Sequence, residues 1–240
     1  MSEISSDSEA SADPLKLPVS RRLRGRKSRS ALLLIIGGGC GLLVFMGLIL
    51  SSVLRRSNAY GDGSQAINNI KQVGLALQEF EEEYGRFPDD STAAKVKADT
   101  ATPLTLGGRS SNSFFRQLLA TGMKSEKPFY ARRAGARYPD GLFADDAHAL
   151  SPGECGFAYV AGLSSKSDPG TPVVMAPMVP GTTRFDPSIY GGKAIILRLD
   201  NSASGVSLDS SGRAMLNGMD LFDPRQPFWH GKAPDLRWPE

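Results

Sequence analysis

Residues 31–54, ALLLIIGGGCGLLVFMGLILSSVL, contain no Asp, Glu, Lys or Arg. At about 1.5 Å per residue, a helix of that length reaches about 36 Å, enough to cross a hydrocarbon core of about 30 Å with some tilt. A buried helix so uniformly apolar would be unusual in a soluble chain of 240 residues, and the run predicts a membrane span. It leaves one sizeable domain to follow it.

Its flanks set an orientation. RRLRGRKSR lies at 21–29, whereas Arg55, Arg56 and Lys71 are the nearest basic residues afterwards. The positive-inside bias places residues 1–30 in the cytoplasm and the later part of the chain outside it. Residues 1–30 hold seven of the 28 Lys/Arg and four of the 25 Asp/Glu, so basic and acidic residues balance in 31–240. A nucleic-acid footprint on a folded face is therefore not expected, although the basic tail can touch anionic headgroups. Ser57-Asn58-Ala59 offers small residues at a cleavage spacing. However, a cleavable signal has an apolar core of only about 7–15 residues, and a retained anchor is the expected form.

The chain then divides into a disordered basic tail (1–30), the span (31–54), a linker (55–63) and an extracytoplasmic domain (64–240). Gly61 and Gly63 disfavour helix in the linker. From Ser64, Ile67, Ile70, Val73, Leu77, Phe80 and Tyr84 recur at three- and four-residue steps, the pattern of one apolar helix face. Gly74 and Ala76 narrow that face in the middle, where another element can approach closely. Tyr84-Gly85 ends the helix and Pro88 forbids its continuation.

Residues 91–108 read as a polar loop, and SNSFFRQLLATG as a second helix capped by Ser111 or Asn112 and closed by Gly122. β-Rich runs follow at 157–161, 172–179, 193–199, 205–208 and 213–216, with a hairpin turn at Asp209-Ser210-Ser211-Gly212. Helices first and strands later predict an α+β domain with a small antiparallel sheet packed on the amphipathic helix. The C-terminal DPRQPFWHGKAPDLRWPE is expected to lie as an ordered coil across the domain.

This order of parts resembles the bacterial type IV pilin and type II secretion pseudopilin superfamily. NNIKQVGLALQEFEEEYGRFP (68–88) is similar to the segment in which those proteins end their long first helix. SFFRQLLATGM, CGFAYVAGL and GGKAIILRLDNSASGVSLDSSG look like an extracytoplasmic, pseudopilin-like subfamily. The resemblance implies a periplasmic domain on a single inner-membrane anchor, with secretion or pilus-like subunits as partners. Precursors of that family are cut after a Gly just before the span, and a Glu stands five residues into the mature chain. Here Ser28-Arg29-Ser30-Ala31 precedes the run and no Glu occurs in 31–54, so neither processing nor polymerisation is expected. Gly37 and Gly41 form a G-x-x-x-G that can pair spans laterally.

Candidates for chemistry are few. ADDAHALSPGEC gathers Asp145, Asp146, His148, Ser151 and Cys155, yet matches no zinc or nucleophile spacing, and reads as a solvated loop. Cys155 reads as a buried apolar residue, and Cys40 lies in the run, so no internal disulfide is expected. Asp200, Asn201 and Asp209 are hard oxygen ligands near a hairpin and are the calcium candidates, with ordinary turn chemistry as the alternative. Phe228, Trp229 and Trp238 are expected to clasp the tail to the domain. The expected function is non-catalytic and cofactor-free: a structural or adaptor component of the envelope, attached to a type II secretion or pilus-like system. The alternative is a membrane-tethered binding module that takes an envelope ligand or glycan through the sheet loops or the Trp-rich C-terminus.

Overall fold

The structure is a computed structural model that describes the backbone of residues 27–240, and side chains for 45–51 and from 59 onward. The chain forms two units, residues 1–50 and 51–240. Helix α1 runs Lys27–Tyr84. In the first unit Phe45, Met46, Leu48, Ile49 and Leu50 are each about half to two-thirds exposed. Gly37 and Gly41 lie outside the residues with described side chains, as does most of the apolar run 31–54. Among the described residues, no helix is long and apolar enough to cross a membrane.

The second unit is α+β. Helices α2 (Asp90–Thr100) and α3 (Ser111–Thr121) precede strands β1 (Ala158–Ala161), β2 (Pro172–Ala176), β3 (Lys193–Arg198) and β4 (Ala203–Ser207). These strands form an antiparallel meander. Strand β7 (Asp235–Arg237) adds to the free side of β1, giving the order β4-β3-β2-β1-β7. A separate two-stranded ribbon joins β5 (Met215–Leu216) and β6 (Met219–Asp220).

The sheet is buried on both faces. On one side α1 lays Ala66, Ile70, Val73, Leu77 and Phe80 against it, all at most 2% exposed, with Ile67 half-buried beside them. Phe114, Phe115, Phe129 and Tyr159 extend this core, and the Phe115 and Phe129 rings stack at 5.1 Å. On the other side Phe185 of the β2–β3 connection and Leu221, Phe222 and Trp229 of the C-terminal segment pack on Val160, Met175 and Ile196. Alternation along the strands supplies both layers: Ile195 and Leu197 face the helices, Ala194 and Ile196 the tail.

Two glycines shape α1 in different ways. A Cβ on Gly74 would lie 2.4 Å from Asn201 Oδ1 and 3.0 Å from a Leu197 methyl, so these two side chains sit directly on the α1 backbone. Gly85, at φ 81°, donates its N–H to Glu81 O at 2.7 Å and ends α1 in the left-handed conformation.

Four expectations need correction. Residues 55–63 are not a linker but part of α1. Each Gly costs about 1 kcal/mol relative to Ala in a helix, but Gly63 is buried beside the Tyr190 ring and Asp62 pairs with Arg132. Residues 91–108 are not all loop, because α2 begins at Asp90. Asp89 and Thr92 form a reciprocal capping box there, and the Thr92 hydroxyl donates to Gln117 Oε1 at 2.7 Å. The cap of α3 is Ser110, one residue before the expected Ser111 or Asn112. Finally, the tail is not all coil, since Asp235–Arg237 is an edge strand.

Candidate functional site

The loop from 137 to 154 has no strand or helix, and polar side chains hold it in place. Arg116 donates to the Ala149 and Asp146 carbonyls at 2.8 and 3.1 Å. Arg137 reaches Pro152 O and Ser151 Oγ, and Asn112 donates to Leu150 O at 2.7 Å. Asp146 accepts from the Thr105 N–H and hydroxyl, which together with Arg116 keeps its carboxyl below the ordinary range despite partial desolvation.

The structure separates the candidates in ADDAHALSPGEC. His148 Nδ1 lies 2.8 Å from Asp145 Oδ1 in the open. That hydrogen bond raises the imidazole pKa and lowers that of the carboxyl. His148 borders a shallow groove with Leu104, Leu119, Leu142 and Phe143. Cys155 is instead fully buried. Its Sγ lies 3.8 Å from Ser111 Oγ and 3.5 Å from Phe157 O, and burial pushes the thiol up to about 11. A thiol so placed is a protonated core residue rather than a nucleophile. Ser151 Oγ accepts from Arg137. The three groups thus serve three local purposes and share no reaction centre.

The calcium candidates also come apart. Asp200 Oδ1 accepts the Ser202 N–H at 2.9 Å, in the turn where Asn201 takes φ 62° between β3 and β4. Asp209 follows the far end of β4 and accepts from the Ser211 and Arg213 N–H groups at 2.8 and 2.9 Å. Five strand residues separate the two turns, roughly 16 Å at about 3.3 Å per residue, so Asp200 and Asn201 cannot join Asp209 on one ion. Their Asp residues perform turn chemistry.

A carboxylate cluster that the sequence did not suggest is formed by Glu126, Asp140 and Glu154, with one oxygen from each within 4.8 Å of the others. Glu126 and Glu154 are buried, and Asp140 is exposed. Glu126 accepts from the Leu150 and Gly141 N–H groups at 2.6 and 3.1 Å, and Glu154 from Ser151 and Asp140 at 2.9 and 3.3 Å. Desolvation raises the Glu126 pKa, and the Glu154 and Asp140 charges add to the shift. Such oxygens suit a hard cation, but those four backbone donors already employ both buried carboxyls in pinning the 137–154 loop. The residues are spaced 14 apart and meet only through tertiary packing, so no local motif marks them.

Both tail tryptophans are anchored. Trp229 is buried and donates its indole N–H to Leu221 O at 2.7 Å; Trp238, half-buried, donates to Thr182 O at 2.9 Å. Phe228 meets Trp229 edge-on at 5.2 Å. The C-terminal residue is tied in as well, its N–H to Asn112 Oδ1 and its carbonyl to Gly153 N–H and to Arg133.

Compared with protein families, curated proteins and solved structures, the chain matches none.

Proposed function

We propose that this chain is a single-pass component of the bacterial inner membrane. Its N-terminus is cytoplasmic, its α+β domain is periplasmic and pseudopilin-like, and its role is structural or adaptor rather than catalytic. The observation that carries this reading is the exposure of Phe45, Met46, Leu48, Ile49 and Leu50. At 100° per residue these five side chains fan over about 200° of the helix circumference, and a soluble helix with so broad an apolar face would hide it. An exposed apolar face this broad suits a lipid surround.

The second unit supports an adaptor role. His148, Cys155, Glu126, Glu154, Asp200 and Asp209 are committed to loop, core and turn structure as described above. Its architecture, a helix whose apolar stripe lies on an antiparallel meander, is the arrangement the pseudopilin resemblance implies. Type II secretion or pilus-like subunits are the proposed partners. The test is affinity capture of the full chain from detergent-solubilised envelopes of its native cell. Co-purification of secretion or pilus-like subunits supports the reading. Retention on peptidoglycan or polysaccharide without such subunits contradicts it in favour of a tethered binding module.

A further inference from the structure

Lys193, Ile195 and Leu197 alternate along β3, so all three belong to the sheet face that packs on α1. Ile195 and Leu197 are 3% and 1% exposed in that core, but Lys193 is exposed. Among the described residues its ammonium has no ion pair or hydrogen bond. A charge therefore stands where the pattern calls for an apolar side chain, with no partner to explain it.

The layer beside it is open because side chains are missing from both walls. Gly205 of β4 sits opposite Ile195, and Gly63 and Ala59 of α1 stand across from them. The result is a cleft of about 550 Å³, within the range of about 300–1,000 Å³ that small ligands occupy. Ile67, Ile195 and Tyr190 give it an apolar lining, and Tyr60 and Ser64 are hydroxyl-bearing residues of its wall. The Lys193 stem crosses Gly205, its Cδ 3.2 Å from where a Cβ would stand, and as a flexible chain it can swing aside. Nearby carboxylates are occupied elsewhere: Asp62 with Arg132, and Asp186 with the Ser188 N–H and hydroxyl.

We propose that this cleft binds an anionic amphiphile, its head on the Lys193 ammonium and its apolar body in the gap between Gly205 and α1. A bare anion would leave the apolar lining wet, and a purely apolar molecule would leave the cation unpaired, so both features together select the class.

The test is calorimetric titration of the full chain with octyl phosphate, inorganic phosphate and octanol. Octyl phosphate is expected to saturate one site, with phosphate and octanol each at least about tenfold weaker, since each lacks one of the two contacts. Lys193→Gln, which removes the charge, and Gly205→Leu, which fills the gap, should each weaken octyl phosphate by about tenfold or more. Ser64→Leu fills the same gap from the helix wall and serves if Gly205→Leu does not fold. No saturable binding of octyl phosphate, or binding indifferent to all the variants, overturns the proposal. Phosphate binding as tightly as octyl phosphate overturns it in favour of a simple anion site, and octanol binding as tightly overturns it in favour of an apolar one.

Discussion

Gly74 and Asn201 meet where helix α1 crosses the β3–β4 turn, and the Asn201 Oδ1 occupies space that any side chain at 74 would need. That oxygen is buried and accepts no hydrogen bond. The contact therefore positions helix against sheet by shape. Gly74→Ala gains about 1 kcal/mol of helix propensity, but a Cβ 2.4 Å from Asn201 Oδ1 overpacks the crossing, at a cost of about 1–3 kcal/mol. Net destabilisation is expected in chemical denaturation. The double variant Gly74→Ala/Asn201→Gly should recover it, because Asn201 has φ 62°, which glycine adopts freely, and its oxygen makes no bond to lose.

Cys155 lies at the meeting of α3 and the start of β1, with Ser111 beside it. With its thiol raised to about 11 and its surface fully covered, it should not react with a thiol reagent at neutral pH in the folded chain. In a Cys40→Ser background, labelling should appear only as denaturant unfolds the domain. Rapid labelling of the native chain would place Cys155 at the surface.

The Asp145–His148 pair predicts a proton affinity rather than a catalytic rate. The imidazole should titrate above its ordinary value of about 6.5, chiefly through the hydrogen bond to Asp145. Asp145→Asn should lower the midpoint measured by NMR. The pair's contribution to stability is present below the unfolded-state value and disappears as pH rises through the folded one. In so exposed a position, the midpoint rather than the stability is the quantity to read.

Glu126 depends on pH in the same direction, though here it is the protonated form that is neutral. The folded state holds its proton more tightly than the unfolded chain, because burial and two neighbouring carboxylates disfavour the anion. Its contribution is therefore fully favourable below the ordinary carboxylate value of about 4.3 and is lost as pH rises through the elevated folded value. The unfolding free energy of the native sequence, relative to Glu126→Gln, should rise as pH falls from about 7 to about 5. Carboxyls with lowered values, such as Asp146 and Asp200, are common to both proteins and cancel in the difference.

What the sequence revealed and what it concealed divide by range. The α1 stripe was legible because Ile70, Val73, Leu77 and Phe80 recur locally, and the Asp209–Gly212 turn because its signal lies within four residues. Helix α2 was concealed because Val96 and Thr92 are its only fully buried residues, and it leans on the buried Gln117, 25 residues beyond Thr92. Residues 55–63 were misread because two glycines argue for a break that Arg132 and Tyr190, distant in sequence, help to prevent. Strand β7 offers only Asp-Leu-Arg, too short a pattern without its partner β1. The Glu126–Asp140–Glu154 cluster and the Lys193 cleft assemble across separate loops and strands, so only the tertiary structure brings them together.

The central claim, a retained membrane anchor joined to a periplasmic domain, is tested most directly by fractionating the native cell and sequencing the amino terminus of the protein recovered. The account predicts an intact start at Met1 or Ser2, in the membrane pellet. A soluble form that begins beyond residue 54 would contradict the anchor, and a membrane form that begins near Ala31 would contradict the unprocessed, non-polymerising role and restore a filament subunit in its place.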